Sequence, residues 1–130
     1  DLWDIDLLIC TSIAGIQTKY KPALRAVYGD AAIVEMYGAT EGMYAQQLDQ
    51  KPYLVPNYDT YFFEVQTGRG VKMLHELRRG EYGSVIVSSC LVPRYRIGDV
   101  IRCMEQGYFR VIGRERRFAL LRHLLDTAFR

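Results

Sequence analysis

The sequence predicts a mixed α/β (α+β) chain: a parallel βαβ segment, then a β-rich antiparallel subdomain, then a closing helix. Three observations predict it. An apolar run, an amphipathic stripe and a second apolar run follow one another within residues 5–36. From residue 61 the pattern changes to short aromatic and β-branched runs separated by glycine-bearing turns. After residue 117 the apolar residues return to helical spacing.

Residues 5–10 are apolar except for Asp6, which suits a buried strand. The small residues Thr11-Ser12-Ile13-Ala14-Gly15 break that run and read as a loop at the strand's end. Tyr20, Leu24, Val27 and Tyr28 then form one helical stripe, with Pro22 near its start and Gly29 just past its end. Residues 31–36 give the second strand, so that strand, helix and strand make a βαβ unit with a right-handed crossover. Residues 50–58, with Pro52 and Pro56, form the joint between the two halves. Beyond the joint, residues 61–66 run into the turn Thr67-Gly68-Arg69-Gly70, and residues 84–89 carry Val85-Ile86-Val87. Residues 100–104 and 108–112 flank Glu105-Gln106-Gly107 as a hairpin. Phe118, Leu121, Leu124, Leu125 and Ala128 complete an amphipathic helix. The expected organisation is a single piece: residues 1–49 as the βαβ portion, 50–112 as the β-rich subdomain, and 113–130 as a hinge with the terminal helix.

Composition narrows the class. Hydrophobic residues are 49% and charged residues 25% of the 130, enough apolar matter for a core and no sign of disorder. No apolar run reaches the roughly 20 residues a membrane helix needs, so no membrane partner is expected. The acidic start lacks the basic opening of a secretory signal, and without an initiator methionine the chain reads as processed, truncated or a cloned segment. Cys10, Cys90 and Cys103 are odd in number and without metal-ligand spacing, so they read as reduced thiols of a cytoplasmic protein. The net charge of +2 is uneven: residues 1–93 carry 8 basic against 11 acidic side chains, and residues 94–130 carry 9 arginines against 4 acidic. An Arg-rich end suits an anionic partner, although a solvated charged face has the same composition. His75 and His123 stand alone, without a metal-ligand companion.

Three segments place polar groups where strands end, the position at which open parallel sheets bind ligands. In Tyr37-Gly38-Ala39-Thr40-Glu41-Gly42 the glycines let backbone approach a ligand, and the Thr40 hydroxyl suits a phosphate oxygen. Glu41 supplies a hard carboxylate for Mg²⁺, and Tyr37 a flat face for a base. In Arg94-Tyr95-Arg96-Ile97-Gly98-Asp99 an ionised Asp99 can accept from two ribose hydroxyls. In Ile112-Gly113-Arg114 the guanidinium fork can reach a phosphate or a ribose. Each segment taken singly also fits an ordinary capped or charged turn.

Their order and spacing are more specific. Tyr37-Gly38-Ala39-Thr40-Glu41, Tyr95-Arg96-Ile97-Gly98-Asp99 and Gly113-Arg114 together resemble the later core motifs of the acyl-adenylate-forming superfamily. Leu2-Trp3-Asp4-Ile5-Asp6-Leu7-Leu8 and Gly80-Glu81-Tyr82 are similar to the auxin-responsive acyl-acid amido synthetases and their bacterial relatives within it. The resemblance implies part of a larger N-terminal adenylate-forming domain, acting on ATP with Mg²⁺ and a small-molecule carboxylic acid. Tyr37 would stack on adenine, Thr40 would touch the α-phosphate, and Glu41 would hold Mg²⁺. Asp99 would bind the ribose hydroxyls and Arg114 would sit near the ribose, with Gly38 close by in the nucleotide loop. Ser12, Ala14 and Gly15 match the loop lining the acyl and adenine pocket. Arg116 stands where the superfamily often carries an acidic hinge residue. The phosphate loop and the small C-terminal domain with its frequent catalytic lysine would come from the remaining segments of the parent enzyme.

The expected function is therefore part of a ligase that forms an acyl-AMP and passes the acyl group to an amine or a thiol, with the 130-residue chain inactive alone. The competing reading is a non-catalytic interaction module using the Arg-rich end. A nucleic-acid partner is not expected, because such domains show a stronger basic bias. Without neighbouring strands the apolar edges would be exposed, and the chain is expected to self-associate.

Overall fold

The computed structural model describes residues 5–116. Two sheets form in sequence. The first, in the order β1-β2-β3-β4, holds β1 (Leu7–Thr11), β2 (Ala32–Ala39), β3 (Gly42–Gln46) and the two-residue β4 (Val55–Pro56). The second, in the order β6-β5-β7-β8-β9, holds β5 (Phe62–Thr67), β6 (Gly70–Met73), β7 (Tyr82–Ser88), β8 (Tyr95–Glu105) and β9 (Tyr108–Arg114).

The βαβ unit is present. β1 and β2 pair in parallel, Leu7 opposite Ala32 through Thr11 opposite Met36. The helix α1 (Lys21–Tyr28) lies between them in sequence, preceded by a π-helical turn over Ile16–Tyr20. Pro22 stands in the first turn of α1, where a missing N–H costs nothing, and Gly29 closes it with φ 60°. The stripe that predicts the helix is not its buried face. Val27 is 73% exposed and Tyr28 and Tyr20 are also open, whereas Lys21 is buried. Leu7 and Ile9 on the edge strand β1 are exposed too, so among the described residues the apolar face at this end is uncovered.

Three features differ from the sequence reading. The segment after the second strand is a hairpin, not an open loop: β2 runs through Ala39, turns over Thr40-Glu41 and returns antiparallel as β3. The joint over residues 50–58 contains β4, which pairs with β3, so the first sheet extends past residue 49. The joint also bridges the sheets. Leu54 and Phe109 exchange both backbone hydrogen bonds, at 2.9 and 3.0 Å. The terminal helix expected from Phe118 onward lies outside the described residues, as does His123.

The second sheet is antiparallel throughout, as its turn-separated β-branched runs predict. One face carries the core: Phe63, Val65, Val85, Val87, Ile97, Ile101, Cys103 and Phe109 pack with Tyr37, Tyr44 and Ala45 of the first sheet. Leu54, Leu74 and Leu77 complete the cluster. Cys10, Cys90 and Cys103 are free thiols.

Candidate functional site

The chain's polar segments meet at the seam between the two sheets. A cavity of about 520 Å³ opens there, at the carboxyl end of β1, where a parallel sheet presents its ligand crevice. Its walls are the loop Thr11-Ser12-Ile13-Ala14 on one side, Tyr37 and Gly38 of β2 behind, and Asp99 and Val111-Ile112-Gly113-Arg114 on the other. Six of the residues singled out from the sequence therefore border one space: Ser12, Ala14, Tyr37, Gly38, Asp99 and Arg114.

Two strand irregularities shape it. The β2–β3 register shifts between Tyr37 and Gly38, which leaves Tyr44 as the extra residue on β3. The β7–β8 register shifts as well, so that Ile97-Gly98-Asp99 stand against a single residue of β7. Gly98 takes φ 81° there, a conformation costly for other L residues, and the bulge re-aims Asp99. Gly38 has no room for a side chain, since a Cβ would come within 2.8 Å of the Gly42 carbonyl oxygen.

Asp99 is the centre of the polar wall. It is 6% exposed and both carboxylate oxygens are engaged. The Arg114 Nε donates to Oδ1 at 2.8 Å, across the β8–β9 pair, and the Tyr37 hydroxyl donates to Oδ2 at 2.9 Å. Arg114 also donates to the Ile97 carbonyl at 3.0 Å, so its guanidinium is oriented although its side chain is largely open.

Tyr37 differs from the sequence expectation. The motif suggests a flat face open to a base, but the ring is 2% exposed and packs at 5.6 Å from Tyr44 and edge-on at 6.0 Å from Phe109. What it offers the site is its hydroxyl, aimed at Asp99. Burial pushes this phenol far above its usual range, and the Asp99 charge and the hydrogen bond add to the shift. The native state thus keeps a proton that the unfolded chain releases above pH about 10. The resulting stability is present below that pH and is lost as pH rises, by about 1.4 kcal/mol per unit for one group. Between pH 10 and 11, where the unfolded tyrosine is only partly ionised, Tyr37→Phe is expected to lose about 1 kcal/mol less than the wild type in urea titrations. Equal slopes for the two proteins would mean that the hydroxyl is hydrated.

Thr40 and Glu41 lie at the hairpin tip, beyond the cavity wall, and both are exposed. Glu41 lines a small recess with Tyr44, Tyr61 and Tyr95. The Tyr95 hydroxyl bonded to it holds its carboxyl below the usual range, helped by its own backbone N–H and, more weakly, by Arg114. Glu41 is therefore an ionised, solvent-facing carboxylate. A single such group suits Mg²⁺ carried by substrate phosphates better than a protein-enclosed metal. Among the described residues no group of three or more His, Cys, Asp or Glu could hold a metal alone. Gly15 sits one residue past the cavity wall, in the left-handed conformation at φ 82°.

The sequence reading missed a second polar cluster behind the first wall. The Ser12 hydroxyl donates to Glu35 Oε2 at 3.0 Å, and the Gln17 amide donates to Oε1. Lys21 Nζ lies 2.9 Å from the same Oε1 and 3.2 Å from Gln47 Oε1. The Arg-rich end is partly committed within the fold: Arg94 pairs with Glu64, Arg110 donates to the Pro52 carbonyl, and Arg114 pairs with Asp99.

Among the described residues no helix is long and apolar enough to cross a membrane. No protein-family model matches the chain, and no curated protein matches it in sequence. Solved structures do match in fold. A GH3.15 acyl acid amido synthetase aligns with TM-score 0.67 and 22% identity over 85% of this chain and 22% of its own length. A long-chain-fatty-acid-CoA ligase (FadD1) from Archaeoglobus fulgidus aligns with TM-score 0.59 and 17% identity, covering 92% of this chain and 30% of the ligase. A malonyl-CoA ligase, solved with methylmalonyl-CoA and AMP bound, aligns with TM-score 0.53 and 21% identity over 84% of this chain and 27% of its own. The chain thus spans under a third of each of these enzymes, and its mixed α+β architecture is shared with a segment of each.

Proposed function

We propose that the chain is part of an ATP-dependent enzyme that activates a carboxylic acid as its acyl-AMP and transfers the acyl group to an amine. The observation that carries this reading is the placement of Asp99, Arg114, Tyr37 and Gly38 around one cavity at a strand's carboxyl end, in a fold shared with acyl-activating ligases. In the first step a carboxylate oxygen of the acid attacks the α-phosphorus of MgATP, and the bond to pyrophosphate breaks. In the second the amine nitrogen attacks the acyl carbon, AMP leaves, and the amine loses a proton.

No side chain need act as a nucleophile, because both nucleophiles come from the substrates. The protein's work is positioning and charge neutralisation. Asp99 would accept the ribose hydroxyls, with the Tyr37 hydroxyl and the Arg114 fork fixing its carboxylate plane. Arg114 would turn its remaining donors toward ribose or phosphate. Thr40 would donate to the α-phosphate, and Glu41 would take one position on Mg²⁺. Ser12, Ala14 and Gly15 would contribute to the acyl side. Segments outside this chain would supply the phosphate loop and the rest of the acid pocket, and the reaction would take place in the cytoplasm.

The test is acid-dependent ATP–pyrophosphate exchange by the full-length protein across a panel of carboxylic acids. Glu41→Ala and Asp99→Ala are each expected to reduce exchange by about 100-fold or more while the protein stays folded. A folded wild type that neither exchanges pyrophosphate with any acid nor binds MgATP would defeat the reading. Substituting amines and thiols as acceptors in the second half-reaction separates an amide ligase from a thioester ligase.

A further inference from the structure

The least expected groups among the described residues are a buried lysine at the start of α1 and a buried glutamate on β2. Lys21 is 6% exposed and Glu35 3%, and neither touches the cavity. Burying such a pair is costly, and an apolar pair of similar volume often serves stability as well. Their partners show what the pair is connected to. Glu35 spends one oxygen on Ser12 and the other on Gln17 and Lys21, and Gln47 of the segment after β3 bonds Lys21 and the Glu35 backbone N–H. Ser12 and Gln17 bracket the loop that forms one cavity wall, whose only backbone tie to β2 is Ser12 N–H to the Met36 carbonyl at 2.7 Å.

We infer that Glu35 is a positioning residue whose carboxylate oxygens, with Lys21 as their buried counter-charge, clamp the Ser12–Gln17 stretch against β2 and so set the place of Ile13 and Ala14 in the substrate cavity. This inference rests on the adenylation reading for what the cavity binds, but the clamp itself does not. Glu35 sits on β2 two residues before Tyr37, so one strand carries both the clamp for the acyl-side wall and the hydroxyl that orients Asp99. Ser12 takes part through its hydroxyl as an anchor, turned to Glu35, while Ile13 and Ala14 face the ligand space.

Two double variants of the full-length protein separate positioning from mere stability. Lys21→Met with Glu35→Gln removes both charges but keeps an acceptor for Ser12. Lys21→Met with Glu35→Leu removes the charges and the acceptor together. Hydrogen–deuterium exchange is expected to stay near wild type over residues 12–17 in the first and to rise by about tenfold in the second. In pyrophosphate exchange the second is expected to raise KM for the acid by about tenfold, with KM for ATP little changed, and the first to leave both alone. Ser12→Ala, which leaves the ion pair intact, is expected to loosen the same stretch and serves if either double variant fails to fold. Unchanged amide exchange over residues 12–17 in the Leu variant or in Ser12→Ala would overturn the inference. So would an unchanged KM for the acid in an active Leu variant. If the wild type adenylates no acid, the adenylation reading falls, and amide exchange still decides whether the clamp exists.

Discussion

Glu35→Ala is expected to lower the unfolding free energy by about 3–5 kcal/mol, because it leaves an ammonium group buried without its counter-charge. The Lys21 side chain is only 7% exposed, and after the substitution it would keep one neutral acceptor, Gln47 Oε1 at 3.2 Å. Ser12 and Gln17 lose their acceptor in the same stroke. Against a total stability of about 5–15 kcal/mol for a domain, that loss is large enough to abolish folding in a marginal case. The reverse substitution, Lys21→Met, should cost less, since Glu35 keeps two hydrogen-bond donors and methionine fills the channel of the lysine stem. Guanidinium melts of the full-length protein and its variants would read the order. A Glu35→Ala loss under about 1 kcal/mol would show that water already reaches the pair.

Gly83→Ala should be comparably damaging for a different reason. Gly83 lies on β7 facing β5, and a Cβ placed there would stand 2.2 Å from the Gln66 carbonyl oxygen and 2.8 Å from its carbonyl carbon. Those are backbone atoms of the neighbouring strand, so no rotamer change relieves the contact. The strands must separate, and the Val65 and Val85 side chains beneath them lose their packing. About 3 kcal/mol is the expected cost, at the upper end of ordinary overpacking. Gly68→Ala in the adjoining turn meets nothing within 4 Å and is the matched control. A Gly83→Ala protein that melts with the control would mean that β5 and β7 sit farther apart than described.

Much of this architecture is legible in the sequence because its signals are local. Pro22 and Gly29 delimit α1, and the turns at Thr67-Gly68-Arg69-Gly70 and Glu105-Gln106-Gly107 punctuate the second sheet. What escaped depends on partners far along the chain. The β3 strand follows a Thr40-Glu41 turn that lacks the Asn-Gly or Asp-Gly chemistry typical of two-residue hairpins. β4 is two residues long, one of them proline, and exists because β3 is beside it. The enclosure of Tyr37 requires Phe109, 72 positions away, which no periodicity within β2 could announce. Glu35 reads as an interruption in an apolar run and Lys21 as a solvated helix residue; only their proximity makes them a pair. The motif residues gathered at the cavity were readable for the opposite reason. Their spacing, not their surroundings, marks them.

The Leu54–Phe109 bridge ties the order of folding to the existence of the cavity. The bridge joins residues 55 positions apart, so its closure entropy must be met before either hydrogen bond contributes. Until it closes, β1 and β2 can pair locally and β8 and β9 can form their hairpin, but Tyr37 and Asp99 belong to separate pieces. The crevice is thus a late product of assembly, absent from any state in which the sheets have formed but not met. A ligand held between Ala14 and Arg114 would bind the finished state alone, and its stabilisation would be felt as slower unfolding, with little effect on the rate at which the chain folds.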